Sequence, residues 1–206
     1  MLRTFGLIVS FVAGTVVQAL ALSVTTDPHG APPGTYQLES KDAQIQFAIR
    51  HFGVSDFFGR FDKASGALTF NPADPSRSAV TVVIDITSLS TQSSALDKEL
   101  ADPAIFNSAK FPTATFKSTS VTPTGANTGT IAGDLTIKGI TKQAVLDVRY
   151  NGSTPSPLDP KSTWIGFHAT TTIKRSDYDM TGVMWSSMVG DDVRLDIEAP
   201  FAATRE

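Results

Sequence analysis

Side chains able to do chemistry are few and scattered in this 206-residue chain. There are three histidines, His29, His51 and His168, and no cysteine. His29 falls in a Pro/Gly-rich stretch, His51 ends an alternating apolar run, and His168 sits on the polar face of another. No HExxH or His/Cys cluster exists, so no metal site is expected. Without cysteine there is no thiol nucleophile, thiolate ligand or disulfide. GxSxG elbows, P-loops and GxGxxG fingerprints are also missing. Asp191-Asp192 could act as a carboxylate pair, but a charged turn before a strand accounts for it more simply. His51 could be a base or a head-group ligand, against the plainer reading of a hydrogen-bonded structural histidine. Asn151-Gly152-Ser153 matches a glycosylation sequon, and Asn-Gly hairpin chemistry explains it equally well. Neither catalysis nor a cofactor is expected.

What the chain has in quantity is apolar side chains. Thirteen phenylalanines are spread over nearly every segment, and Phe47, Phe52, Phe58, Phe116 and Phe167 are candidate contacts for an apolar ligand. Met180, Met184 and Met188 recur at i, i+4, i+8 around Trp185, inside the irregular stretch 176–190. Methionine adapts to variable apolar partners, and long loops in compact domains tend to be functional. These four residues are therefore candidate contacts as well.

The elements that must hold these residues have a period of two. Ala43, Ile45, Phe47, Ile49 and His51 share one face, with Gln44, Gln46 and Arg50 opposite. The same alternation runs through Val80–Ile86, Ile131–Ile137, Ala144–Tyr150, Ile165–Ile173 and Val193–Phe201. Shorter candidates lie at 36–39, 57–61, 66–70 and 113–120. Strands with one wet and one dry face suit antiparallel sheets. Turn chemistry at Asn71-Pro72, Thr122–Gly125, Gly139 and Asn151-Gly152 joins them briefly, which suggests up-and-down order. The expectation is an all-β, antiparallel barrel of about eight strands, whose closure removes exposed edges. Such a barrel can hold one small ligand. Residues 93–105 break the period. Ser94 as N-cap, Asp97 three residues on, and Leu96 and Leu100 on one face predict a short helix and loop after the fifth strand region, crossing one barrel end.

The start of the chain speaks to compartment. Arg3 supplies a positive region, Phe5 to Val17 is an apolar run, and Ala19-Leu20-Ala21 fits small-x-small cleavage. A signal peptide is expected over residues 1–21, leaving 206 − 21 = 185 residues. The run is short of the ~20 residues that a membrane span needs. Residues 22–34 read as a flexible leader, and 35–206 as the domain. The exported product is then periplasmic or secreted. The net charge of −3 is not gathered into a basic face, so no nucleic-acid partner is expected.

Five stretches together resemble a known family. They are His51-Phe52-Gly53-Val54-Ser55 with Gly59-Arg60-Phe61; Phe106 with Ala109-Lys110-Phe111-Pro112 and Phe116; Gly133–Thr141; Lys174–Met180; and Val189–Val193. In this order they resemble the YceI-like polyisoprenoid-binding family over about residues 34–202. One departure is Asp179, where the family usually has glycine. The resemblance implies a lipocalin-like extended barrel, commonly periplasmic or secreted, that binds a long isoprenoid or other amphiphilic lipid without catalysis. It implies a polar head group near the barrel mouth, for which His51, Ser55 and Arg60 are the candidates, arginine being suited to an anionic oxygen. Homodimers are frequent among such proteins. The alternative readings are an envelope-stress interaction module with a filled barrel, and a lipid-modifying enzyme using His51 or Asp191.

Overall fold

A computed structural model describes residues 23–156, 159, 162–182 and 187–204. The signal peptide expected over residues 1–21 lies outside them. The described chain forms strand segments β1 (Gly34–Leu38), β2 (Gln44–His51), β3 (Ser55–Phe61), β4 (Ala64–Phe70), β5 (Ala79–Asp85) and β6 (Leu89–Ser90). A helix, α1 (Ser94–Leu100), follows, and then β7 (Thr113–Pro123), β8 (Thr128–Ile137), β9 (Ile140–Pro155), β10 (Ser162–Lys174) and β11 (Val189–Thr204).

These segments make one closed antiparallel barrel of eight strands. Three of the eight are interrupted. β1 and β2 run in line along β11, β3 and β4 run in line beside them, and β5 and β6 follow. Strands adjacent in sequence are then adjacent in space all the way round, and the ring closes where Gln37 and Leu38 pair with Ala202 and Phe201. The order is up-and-down, as the short turns require. Each interruption has a local cause. Pro200 has no N–H for the ladder, and beside it the chain kinks at 39–43, where Glu39 N donates to Pro200 O (2.9 Å). Lys63 N donates to Ser88 Oγ (3.0 Å) across the second break. Asp85 caps the one-turn helix Ile86–Ser88 by accepting from Thr87 N (2.9 Å), which makes the third.

The connections at 52–54, 86–112, 138–139 and 175–182 gather at one end of the barrel. α1 lies there, as the i, i+4 leucines predict, but its cap is Ser93 and not Ser94. Ser93 Oγ accepts from Leu96 N, and the Asp97 carboxylate turns back to Thr91 N and Oγ1 (both 2.7 Å). The helix ends at Leu100, and the loop that completes the expected helix-and-loop follows it.

The opposite end is filled. Phe70 stacks on Tyr150 at 6.1 Å and 9°, and Phe167 meets both rings edge-on at 6.0 and 5.4 Å. Phe201 and Tyr36 extend the cluster. Two expectations need correction here. Residues 23–33 are laid against the barrel, not left as a free leader: Thr25 pairs with Ser153 through two backbone bonds of 2.9 and 2.8 Å, and the Tyr36 hydroxyl donates to Pro32 O (2.6 Å). Asn151-Gly152 is no hairpin turn. It lies within β9, where Gly152 pairs with Gly166 and Tyr150 with Phe167, so Asn151 is the extra residue of a bulge. Gly152, at φ 141°, supplies the backbone freedom that a bulge needs as much as a turn does.

Candidate functional site

The dry faces of the strands do not fill the barrel. They enclose a cavity of about 340 Å³, within the ~300–1,000 Å³ typical of ligand pockets. Phe167 and Phe201 form its floor above the aromatic plug, and it runs to the helix-bearing end, where Ile86, Leu96, Leu100 and Phe106 flank it. Val82, Leu135, Leu146 and Leu195 represent its middle. The only polar side chains among the described lining residues are His51, Thr171, Arg175 and Glu198. Thr171 Oγ1 is committed to Val145 O (2.7 Å) and the Glu198 carboxylate to Asn151 Nδ2 (2.9 Å). That leaves His51 and Arg175, both at the rim, as the polar groups facing whatever enters.

Alternation decides which expected residues reach this space. Phe47, Phe116 and Phe167 line it, as do His51 at the end of β2 and buried Met180. Phe57, Gly59 and Phe61 share the inward parity of β3, so Phe58 and Arg60 point the other way. Phe58 is 63% exposed, and Arg60 Nε pairs with Asp62 Oδ1 (2.7 Å) on the outer wall. Arg60 is thus not a mouth residue, and parity alone could have shown it. Ser55 and Phe52 stand exposed at the β2–β3 turn, outside the lining. Met188 is half-buried and also outside it, and its carbonyl accepts from Phe52 N (2.7 Å). Met184 and Trp185 lie outside the described residues.

Arg175 was visible only as part of a motif. Its guanidinium donates to the carbonyls of Gly190 (2.9 Å), Val189 (3.2 Å) and Met180, binding the turn after β10 to the start of β11. No carboxylate lies within ion-pair distance of it among the described residues, so a positive charge sits half-buried at the cavity rim. Neighbouring acids are engaged elsewhere. Burial acts to raise the Asp191 carboxyl, but the Ser176 hydroxyl (2.8 Å) and amide (2.9 Å) outweigh it and hold the carboxyl below its ordinary value. Asp192 pairs with Lys174 (2.8 Å). The two aspartates therefore do not form an acid–base pair. His168 faces Asp196 on the outer wall at 3.4 Å. Among the described residues, no group of three or more His, Asp or Glu side chains could hold a metal ion. No helix among them is long and apolar enough to cross a membrane.

The Asp179 departure resolves simply. Asp179 caps the turn Arg175–Tyr178 in the left-handed region, at φ 55° and ψ 36°. The position keeps the conformation that favours glycine. Lys138 secures it by donating Nζ to Asp179 O (2.7 Å) and lying 3.5 Å from the carboxylate.

A closed up-and-down barrel with an apolar cavity reaching one rim is a lipocalin-like architecture. The YceI-like domain matches residues 36–201, and the chain belongs to that family. It is 35% identical over 164 residues to a UPF0312 protein of Ectopseudomonas mendocina, covering 80% of each chain. The crystal structure of the Campylobacter jejuni YCEI protein superposes with a TM-score of 0.65 at 30% identity, over 77% of this chain and 90% of that one. A polyisoprenoid binding domain from Saccharophagus degradans shares the fold at 18% identity, with a TM-score of 0.60 over 82% of this chain and 98% of that one.

Proposed function

We propose that this protein is an exported, non-catalytic carrier that holds the chain of a long amphiphilic lipid of isoprenoid type inside its barrel. The observation that carries this reading is the hydrocarbon wall of the cavity, polar only at the floor-side Glu198, at Thr171 and at the rim. From Phe167 at the floor to Arg175 at the rim, the residue that follows β10, is eight residues. At ~3.3 Å per residue and a tilt of ~40°, that is roughly 20 Å of depth, room for several isoprene-sized units in an extended chain. Each buried CH₂ gains ~0.8 kcal/mol, so ten carbons give ~8 kcal/mol, about the micromolar scale before ordering costs. A lipid needs nothing covalent to stay. In this reading His51 and Arg175, which line the rim, meet its head group, and arginine suits a phosphate or other anionic oxygen. The binding described for the Saccharophagus domain is of the same chemical class.

The test is native mass spectrometry of the mature protein purified without detergent. A bound mass that organic solvent removes, and that proves to be an isoprenoid lipid, is the expected result. Ala144→Trp, which fills the cavity wall, should lose that mass while retaining the barrel's circular dichroism. An empty barrel that also refuses polyprenyl phosphates, quinones and fatty-acid amides would overturn the reading. N-terminal sequencing should begin at Leu22; a product that begins at Met1 would remove the export step.

A further inference from the structure

A lipid held in this barrel must enter and leave without crossing much water, and the mouth carries an unusual feature. Among the described residues, three of the five exposed large apolar side chains, Phe52 (59%), Val54 (83%) and Phe58 (63%), lie on the single hairpin β2–β3 beside the rim. The turn between these strands places Phe52 at φ 50° and Gly53 at φ 72°, with Val54 N bonded to His51 O (3.1 Å). Positive φ at both central residues suits Asn-Gly, not a bulky aromatic. Phe52 is therefore both strained and exposed, and folding stability explains neither. Strain of this kind clusters at functional positions.

We propose that this hairpin is a membrane-docking tip that sets the cavity mouth against the surface of a phospholipid bilayer. The inference deepens the lipid-carrier reading and rests on it.

A run of ring contacts links the cavity to the tip. The His51 ring lines the cavity and packs at 4.4 Å on the Phe52 ring and at 6.4 Å on Phe57, itself a lining residue. Spacing along the hairpin matches the depth of an interface. Phe52 and Val54 are at the turn, and Phe58 lies on the outer face a further ~10 Å up the strand. Interfacial elements bury apolar side chains ~5–10 Å deep, with aromatic rings at head-group level. Charge suits that level too. Between the tip and Phe58, Arg50 ion-pairs with Asp56 Oδ1 (3.3 Å) and Arg194 donates to Asp56 Oδ2, so two guanidinium groups share one carboxylate and one positive charge is in excess beside the rings. The Arg194 hydrogen bond holds Asp56 below its ordinary value, so its single negative charge persists. A second copy of the chain fits less well. Three side chains on a convex turn offer a few hundred Å², against ~800 Å² per partner in a standard interface.

The experiment is co-sedimentation of the mature protein with vesicles of phosphatidylethanolamine and phosphatidylglycerol at about 3:1, beside analytical ultracentrifugation without lipid. The expected result is measurable binding that falls about tenfold or more in Phe52→Asn/Val54→Ser. Asn suits the positive φ, so this variant should melt no lower than the parent, which separates lost docking from lost folding. A parent that ignores the vesicles, or a variant that binds them as the parent does, would overturn the proposal. So would a variant that changes only the oligomeric state, since the tip would then be a contact between copies. The lipid content of the parent, read by mass spectrometry, is measured independently. An empty barrel that still docks would fail the carrier reading and not this one.

Discussion

Gly59 stands directly across the β2–β3 ladder from Phe47, and a Cβ on Gly59 would lie 2.2 Å from the tip of the Phe47 ring. The ring lies flat over the glycine, so the lumen beside it stays open. Gly133 makes the same room for Phe116, whose ring tip would be 2.5 Å from an added Cβ. A glycine in a strand interior weakens the strand, but here it sets the position of a cavity wall.

Gly59→Ala must therefore move the Phe47 ring. Overpacking costs ~1–3 kcal/mol, while replacing glycine in a strand returns ~0.5–1 kcal/mol. The expected net loss is about 1 kcal/mol in urea unfolding, accompanied by weaker lipid retention as the ring turns into the lumen. Unchanged retention with unchanged stability would show that the ring has space to move elsewhere.

Asp179 offers a test of backbone conformation. Its left-handed φ costs a non-glycine residue of order 1 kcal/mol, and its ion pair with Lys138, in which the aspartate is open to solvent, returns about 1 kcal/mol. The Lys138 bond to the backbone carbonyl survives any substitution. Asp179→Gly should thus leave stability within about 0.5 kcal/mol of the parent, while Asp179→Val should lose about 2 kcal/mol, because β-branching is poorly tolerated at positive φ. Equal stabilities for the two variants would contradict the assignment.

Tyr178 is 1% exposed, and burial, with Asp177 adding to it, pushes its hydroxyl up to about 12. An unfolded tyrosine ionises near ~10. Between these values the folded state keeps a proton that the unfolded state has lost, so stability falls as pH rises from about 10 to about 12. Urea unfolding across that range should show a steeper decline in the parent than in Tyr178→Phe. Parallel declines would mean that Tyr178 does not hold its proton.

How much of this was legible beforehand follows from parity. The inward sets Ala43–His51, Val80–Ile86 and Val193–Phe201 were readable because successive strand side chains point to opposite faces and only one face was dry. The same rule places Phe58 and Arg60 outside, although an aromatic and an arginine so near the mouth suit a ligand by residue type alone. Asn151-Gly152 was ambiguous in principle, since a hairpin turn and a bulge ask the same freedom of glycine.

By itself the sequence determined the strand period, the closed antiparallel barrel, the helix at one end and the family, because these depend on local alternation, turn chemistry and short motifs. The tertiary structure alone decided which end of the barrel is plugged by Phe70, Tyr150 and Phe167, and which end keeps its space. It also decided that Arg175, not Arg60, stands at the rim. The physical reason is that a cavity is what packing leaves over. It is the sum of contacts between residues far apart in the chain, and no periodicity within a strand records that sum.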